Sequence, residues 1–251
     1  METQEHKEEK KPEVNEKRWV FLDTETTGKS ENGPAHTGHR VIEIGAVEVY
    51  DRNFTGKEYR QFLNPEMKID AEAMQVHGIT DEFVADKPLF KDVAQEFVEF
   101  VRGSVLIIHN AKFDVGFLNQ ELAMAGREEK IETLCTVVDS YAEARKLRPG
   151  HARYSLDALC EIFNIDNSNR TQHGALLDAK LLAEMYLALT GGQKTMSFSQ
   201  ASGGVQGSGA GIQHGPLKVV RASPAELEAH EEKLKKMMKK GKTDNWHTYW
   251  L

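Results

Sequence analysis

The stretch Arg18 to Gly28, RWVFLDTETTG, constrains the fold more than any other part of the chain. Its apolar run Trp19 to Leu22 is typical of a strand buried on both faces, and acid, hydroxyl and glycine residues follow. Because successive side chains on a strand point to opposite faces, Asp23 and Glu25 are predicted to share one face. Two such carboxylates repel each other unless a cation lies between them, and they suit Mg²⁺ or Mn²⁺ better than Zn²⁺. A solvated strand end would also explain a lone Asp-x-Glu, so further ligands must come from elsewhere in the chain.

Length and composition indicate one sizeable domain with an addition. The 251 residues are enough for a domain of roughly 150 to 200 residues. No apolar run approaches the roughly 20 residues that span a bilayer, and the first 18 residues lack the apolar segment of a signal peptide, so a cytoplasmic protein is expected. Cys135 and Cys160 lie in apolar patterns and are expected to be buried free thiols.

The formal net charge of −7 bears on possible partners. A protein that binds nucleic acid unaided usually shows a clear basic stripe, and this sequence does not. If the substrate is a polyphosphate, attraction must come from bound metal or from a partner that delivers the substrate.

Periodicity and cap residues predict the order of the elements. Three strands come first and favour an antiparallel start to the sheet: the opening strand, Val41–Tyr50 and Glu58–Leu63. The later elements are placed by caps, glycines and apolar spacing. They are a short helix from Asp70 to before Gly78, a helix over Phe90–Val101, the buried strand Val105–Ile108, a helix to about Ala125, a short strand near Leu134, helices beginning at Asp139 and Ser155, and a last helix over Gly174–Thr190.

Composition divides the chain into four segments. Residues 1–17 read as a disordered leader, since six Glu and five Lys or Arg fall within the first 18 positions. Residues 18–190 form the folded domain. Of the 26 residues 191–216, eight are Gly, four Ser and four Gln, which is typical of a flexible linker.

The last segment, residues 217–251, reads as a partner-binding tail. Ser223 is a predicted N-cap before a charged helix whose apolar stripe is narrow. The terminus carries four large apolar residues with no core of their own to enter, a pattern typical of a peptide that folds on a partner. These residues are Trp246, Tyr249, Trp250 and Leu251.

Two further polar motifs adjoin core elements. HNAKFD, which ends at Asp114, follows the second buried strand, and HGALLD, from His173 to Asp178, opens the last helix. Five helical residues turn through roughly 500°, which would separate His173 and Asp178 by about 140°. His173 is therefore predicted to lie just before the helix, leaning over whatever Asp178 touches. A capping or surface histidine is the alternative.

Together, DTETTG, HNAKFD and HGALLD resemble the three motifs of the DEDD family of 3'-5' exonucleases, in the branch with a histidine in the third motif. The resemblance extends over Trp19 to about Thr195, through VIEIGAVEV, VHGITDEF, RYSLDALC and LLAEMYLALTGGQ. Within that family, the sequence is most similar in motifs and length to the members that proofread for bacterial replicative DNA polymerases. Those members work in the cytoplasm at the nucleoid. It implies an α/β chain with a ribonuclease-H-like fold, whose mixed central five-stranded sheet is flanked by helices.

The resemblance also implies roles for matching residues. Asp23, Glu25, Asp114 and Asp178 would hold two divalent metal ions, Mg²⁺ or Mn²⁺, and His173 would be the general base. Besides Asp23, Glu25 and Asp178, the residues expected to contact the terminal nucleotide are Thr26, Glu72, His77, Asn110 and Phe113. A cap, a turn or a packed ring is the structural alternative for each of these five.

The partners implied are DNA 3' ends, a sliding clamp and the polymerase catalytic subunit. Gln193, Met196 and Phe198 resemble short clamp-binding peptides, although a chance match is easy in such a segment. The tail would bind the polymerase. Whether a small accessory subunit docks on the catalytic domain is left open.

Three functions compete on this sequence. The first is a proofreading 3'-5' exodeoxyribonuclease that removes mispaired 3'-terminal nucleotides. The second is an RNA-trimming relative such as ribonuclease T or oligoribonuclease, which share the motifs but are usually bare catalytic domains. The third is a non-catalytic adaptor between clamp and polymerase, disfavoured because a relic site has no reason to keep a carboxylate cluster that costs stability without metal.

Overall fold

The protein is described from a computed structural model that covers residues 13–168, 172–191 and 223–238. The described residues fall into two units, one containing residues 13–168 and 172–191 and the other containing residues 223–238. The candidate clamp peptide and the aromatic terminus lie outside the described residues, so both remain predictions. Within the described ranges, no helix is long and apolar enough to cross a membrane.

Five strands form one mixed sheet, which confirms the predicted architecture. They are β1 (Arg18–Thr26), β2 (Val41–Tyr50), β3 (Asn53–Phe62), β4 (Val105–Ile108) and β5 (Thr136–Asp139). Their order across the sheet is β3-β2-β1-β4-β5. The first three strands are antiparallel, as predicted, whereas β4 runs parallel to both β1 and β5. β1 therefore lies at the centre of the sheet.

Helices flank this sheet in the first unit, and one further helix forms the described part of the second. They are α1 (Ala71–His77), α2 (Asp81–Val84), α3 (Phe90–Val101), α4 (Lys112–Met124), α5 (Ile131–Leu134), α6 (Ser140–Leu147), α7 (Leu156–Phe163), α8 (Ala175–Thr190) and, in the second unit, α9 (Pro224–Met238).

The alternation of side chains along β1 separates two hydrophobic cores. Val20 and Leu22 are buried in one core with residues of α3 and α4. Phe21 is buried in the other with residues of α7 and α8. Because facing alternates along a strand, Asp23 and Glu25 continue the α8 side of the sheet and Thr24 continues the α4 side.

Local sequence signals predicted most helix boundaries. The Ser155 hydroxyl accepts a hydrogen bond from the backbone N–H of Ala158, and Asp139 caps α6 in the same way. In the second unit, Ser223 and Glu226 form a reciprocal cap at the start of α9. Asp70 precedes α1 as predicted, but its side chain makes no cap hydrogen bond. Its Oδ2 instead lies 3.8 Å from Nδ1 of His39.

Two local predictions are wrong. The residues near Leu134 form the helical turn α5, and the predicted strand begins two positions later, at Thr136. The turn closes because the Thr133 hydroxyl accepts from the Lys130 N–H and donates to the Lys130 carbonyl. β3 begins at Asn53 and not at Glu58, since pairing continues to the hairpin through exposed residues that carry no hydrophobic pattern.

Candidate active site

The site lies where β1 and β4 end at the same edge of the sheet. The two strands are parallel, and Leu22 is paired with Ile108. The acidic end of β1 and the HNAKFD segment after β4 therefore meet there. The carboxyl ends of parallel strands are the usual place for ligand sites in open α/β sheets.

Asp114 is buried in the first turn of α4, and Thr24 holds its carboxyl group. Asp114 Oδ1 accepts hydrogen bonds from the Thr24 backbone N–H at 3.1 Å and from the Thr24 hydroxyl at 2.7 Å. Burial raises the pKa of Asp114 to about 7, and the charge of Asp139 acts in the same direction, although the hydrogen bonds from Thr24 oppose the shift. A cation beside this carboxyl group would favour its ionised form.

His173 lies immediately before α8, where the helical-wheel argument put it. Its Nδ1 is 3.3 Å from Asp178 Oδ2, and its backbone N–H donates to the Val76 carbonyl at 3.2 Å. The His173 side chain is 45% exposed, whereas that of Asp178 is 3% exposed. The imidazole is thus accessible to solvent while it contacts a buried carboxyl group.

Two residues of β2 position the N-terminal end of α8 next to the site. Gly45 is paired with Asp23 across the sheet, and a Cβ atom there would lie 2.1 Å from the Leu176 nitrogen. Glu43 is paired with Glu25 and is buried. Its carboxylate accepts from the Ala175 N–H at 3.2 Å and from Arg60 Nε at 2.8 Å.

The roles of Glu43 and Gly45 were missed by the sequence analysis. VIEIGAVEV resembles an ordinary apolar strand, and pattern alone does not say what faces each residue. A glutamate and a glycine within an apolar run were the available signals, since both are unfavourable in a buried strand without a specific reason.

Three of the predicted residues form a cluster that could hold a metal ion. Glu25, His173 and Asp178 each offer one ligand atom, and these atoms lie within 4.8 Å of one another. Asp23 and Asp114 line the same cavity, of about 270 Å³. All five predicted catalytic residues therefore meet in this catalytic cavity, and its oxygen-rich set of ligands fits a hard divalent cation.

A larger groove of about 860 Å³ adjoins the catalytic cavity, and both are lined by Thr24, Glu25 and Phe113. Four of the five residues expected to contact a nucleotide line this groove: Thr26, Glu72, His77 and Phe113. The fifth, Asn110, lines the catalytic cavity and has a positive φ of 65°. The structure thus places a space beside the catalytic cavity, with the predicted contacts on its walls.

His77 carries a buried polar atom on the wall of this groove. Its Nδ1 accepts a hydrogen bond from the Ile79 N–H at 3.0 Å, which assigns the proton of a neutral ring to Nε2. Nε2 has no hydrogen-bond partner among the described residues. Burial lowers the pKa of His77, against an opposing effect of the Thr26 backbone. A neutral imidazole whose Nε2–H makes only a weak contact with the Thr26 backbone is suited to bind an oxygen of a ligand.

Comparison with known proteins identifies a family. A family model described as Exonuclease matches residues 20–186. The DNA polymerase III subunit epsilon of Salmonella typhimurium is 49% identical over 236 residues, which cover 91% of this chain and 97% of that protein. The subunit of the same name from Escherichia coli shows the same identity and coverage.

A solved structure shares the fold. The nuclease domain of 3'hExo, a DEDDh family member, bound to rAMP, aligns with a TM-score of 0.59 at 17% identity. The alignment covers 70% of this chain and 92% of that domain.

Proposed function

The chain belongs to the family of DNA polymerase III epsilon subunits, and from that premise we propose how its site removes mispaired nucleotides from the 3' ends of DNA. It is a proofreading 3'-5' DNA exonuclease. The observation that carries the proposed mechanism is the meeting of Asp23, Glu25, Asp114, His173 and Asp178 in one cavity.

His173 is the proposed general base. Water attacks the phosphorus of the last phosphodiester as its proton passes to the imidazole, and the bond from phosphorus to the 3' oxygen of the shortened strand breaks. The 3' oxygen takes up a proton from solvent to become a hydroxyl, the imidazolium returns its proton to solvent, and a nucleoside 5'-monophosphate is released. The Asp178 carboxylate, 3.3 Å from Nδ1, orients the ring and stabilises the imidazolium that forms. The exposure of the His173 side chain gives water access to it.

The four carboxylates are the proposed holders of two divalent cations, Mg²⁺ or Mn²⁺. When bound, such ions neutralise phosphate charge, activate water and stabilise the leaving oxygen. Glu25 and Asp178 belong to the tight cluster of possible ligand atoms, and Asp23 and Asp114 line the same cavity. Two hydrogen bonds from Thr24 hold the Asp114 carboxyl group in place in that cavity.

The groove is the proposed site for the terminal nucleotide. The His77 Nε2–H would donate to an oxygen of that nucleotide, and the half-buried Phe113 ring, packed against Phe117, would support its base. Thr26, Glu72 and Asn110 complete the proposed contacts. Selection for mispaired ends follows from fraying, because a mispaired end costs less free energy to unpair before it enters.

The segments after the folded domain are proposed to bring the nuclease to its DNA substrate. Residues 217–251 would bind the DNA polymerase III catalytic subunit, and the peptide Gln193, Met196 and Phe198 would bind the sliding clamp, in the bacterial cytoplasm at the replisome. Tethering raises the effective concentration at a primer end to about the millimolar range, so a nuclease of net charge −7 needs little affinity of its own. Docking of a small accessory subunit on the catalytic domain is compatible with this scheme.

The test is to remove two of the proposed ligands. For Asp23→Ala with Glu25→Ala we expect nucleotide release from single-stranded DNA to fall by at least about 10³-fold, or about 4 kcal/mol of transition-state stabilisation. A chelator should abolish the nuclease activity of the unaltered protein. The unaltered protein should degrade terminally mismatched DNA faster than paired DNA or RNA. Glu96→Ala with Glu161→Ala removes two exposed carboxylates that line none of the described cavities and is the matched control.

Two results would contradict the proposal. Undiminished degradation by the Asp23 and Glu25 double variant would refute the site. A clear preference for RNA over DNA would favour the alternative that the chain is an RNA-trimming exoribonuclease.

A further inference from the structure

A third cavity, of about 650 Å³, adjoins the catalytic cavity on a different wall from the groove. The two share His109, Asn110 and Ser155 as lining residues. The third cavity and the groove have no lining residue in common. The catalytic cavity therefore shares wall residues with each of the other two cavities.

The segment 145–155, which we name the basic loop, forms one wall of the third cavity. Its first three residues are the end of α6, and its last four residues, Ala152 to Ser155, line the cavity. The eleven residues contain four Arg or Lys and one His but no Asp or Glu, in a chain of net charge −7. The four cationic residues are Arg145, Lys146, Arg148 and Arg153, and all are exposed.

Two of the four cationic side chains of the basic loop lie over aromatic rings. Arg145 lies over the Tyr141 ring at 5.9 Å, and Arg148 lies over the Phe163 ring at 5.5 Å. Among the residues that the structure describes, none of the four cations forms an ion pair, whereas other arginines such as Arg40 and Arg60 do. The basic loop thus presents positive charge that no carboxylate of the described chain compensates.

Hydrogen bonds fix the basic loop to the end of β4. His109 Nδ1 lies 2.9 Å from the Ser140 hydroxyl, and its Nε2 lies 2.9 Å from the Tyr154 carbonyl oxygen. The Tyr154 hydroxyl donates to the Arg148 carbonyl at 2.8 Å and accepts from the His151 N–H at 3.2 Å. The loop is therefore ordered before any ligand binds, which lowers the entropy cost of binding.

We infer that the basic loop binds the phosphodiester backbone of the substrate strand on the 5' side of the scissile bond. The inference rests on the proposed function. With the terminal nucleotide in the groove and the scissile phosphate in the catalytic cavity, the strand continues into the third cavity. Arg153, which lines that cavity, meets a phosphate there, and Arg148, exposed on the same loop outside the cavity lining, meets a phosphate further along the strand. The half-buried rings of Tyr141 and Tyr154 offer faces on which a base stacks.

The test compares a long and a minimal substrate on the full chain. The variant is Arg148→Gln with Arg153→Gln. The control is Lys91→Gln with Lys130→Gln, which removes the same charge from exposed residues that line none of the three cavities. The substrates are a single-stranded oligothymidylate and the p-nitrophenyl ester of thymidine 5'-monophosphate, which has no upstream strand, each with Mg²⁺.

For the variant we expect KM on the oligothymidylate to rise about tenfold with kcat unchanged, and the ester to be hydrolysed at the unaltered rate. The slope of log KM against log salt should fall by about 1.4, since each lost contact with a single strand removes about 0.7. The control should match the unaltered chain.

Each other result is decisive. Unchanged KM and salt slope in the variant would overturn the inference and leave the proposed function standing. An equal loss on the ester would also overturn it, because the arginines would then act on the catalytic cavity or the fold. Inactivity of the unaltered chain on both substrates would overturn the proposed function, and the inference with it.

Discussion

Single residues of β2 decide how closely α8 approaches the carboxylates that we propose as metal ligands. Glu43 is buried and divides its hydrogen bonds between the first N–H of α8 and the half-exposed Arg60. A carboxylate at a helix N-terminus is favoured by the helix dipole, and Arg60 compensates the rest of its charge. Gly45 leaves the space in which the helix backbone lies. These two residues hold Asp178 through the helix that carries it.

Gly45→Ala should damage both stability and catalysis. The new Cβ would lie 2.1 Å from the Leu176 nitrogen and 2.2 Å from the Ala175 carbonyl carbon, so the start of α8 must move. Overpacking of this kind costs about 1 to 3 kcal/mol of unfolding free energy, and a shift of about 1 Å at a catalytic group costs about 10²-fold in rate. Urea unfolding and kcat on the p-nitrophenyl ester measure the two effects. Unchanged values of both would show that β2 does not position α8.

At the scale of elements, a buried charge joins the three antiparallel strands at the end away from the site. Glu48 of β2, 4% exposed, accepts a hydrogen bond from Arg18 of β1 and lies 3.2 Å from the Lys57 ammonium of β3. Burial acts to raise the pKa of Glu48, but the hydrogen bonds from Arg18 and Lys57 outweigh it, so the net pKa is lowered. The ionised form therefore stabilises the folded sheet.

Glu48→Gln should destabilise the protein in a pH-dependent way. A lowered folded pKa gives stability that is present above the unfolded value of about 4.3 and is lost as pH falls through the folded value. We expect the free energy of unfolding to fall by about 1 to 2 kcal/mol at pH 7, a loss that the exposure of Lys57 keeps small. Below about pH 4, the difference in unfolding free energy between the variant and the unaltered protein should shrink. Urea unfolding between pH 3 and pH 7 measures it.

Glu58→Gln is the matched control for that experiment. Glu58 lies on the neighbouring strand β3 and, like Glu48, pairs with a lysine, Lys180, but both side chains of this pair are 41% exposed. Exposed pairs contribute about 0 to 1 kcal/mol, so this variant should differ little from the unaltered protein at any pH. A pH-independent difference for Glu48→Gln would mean that the carboxylate charge does not stabilise the sheet.

At the scale of the whole molecule, the described residues up to Thr190 contain the sheet, its hydrophobic cores and the predicted site residues. α8 ends at Thr190, and all the site residues that the structure places lie before it. The cores of the sheet are completed by residues up to Leu189. The described residues of the first unit up to the end of α8 therefore contain its hydrophobic cores and its candidate site.

A chain ending at Thr190 should retain nuclease activity on single-stranded DNA at about the rate of the full chain, but should no longer bind the purified polymerase catalytic subunit or the clamp. Pull-down with each partner measures the second effect. The full chain with Asp23→Ala and Glu25→Ala is the reciprocal control, inactive but still bound. If the truncated chain binds the polymerase, residues 217–251 are not the contact.

The sequence by itself determined the features that depend on short stretches of chain. The two-sided burial of β1, the caps at Ser155 and Ser223, and the position of His173 before α8 follow from residues within one or two turns or strand positions of each other. Local patterns failed near Leu134 and at the start of β3, where side-chain hydrogen bonds and strand pairing decided the structure. The site residues were found through motifs, and their roles remain proposals.

Only the tertiary structure decided which residues remote in sequence lie next to each other. Glu43 accepts from a backbone group 132 positions away, and Thr24 from β1 holds Asp114 across 90 positions. The basic loop was hidden by a net charge of −7, which sums over the whole chain and says nothing about where charges lie. Register, packing distance and charge placement arise from contacts between remote residues, and a local pattern carries no information about those contacts.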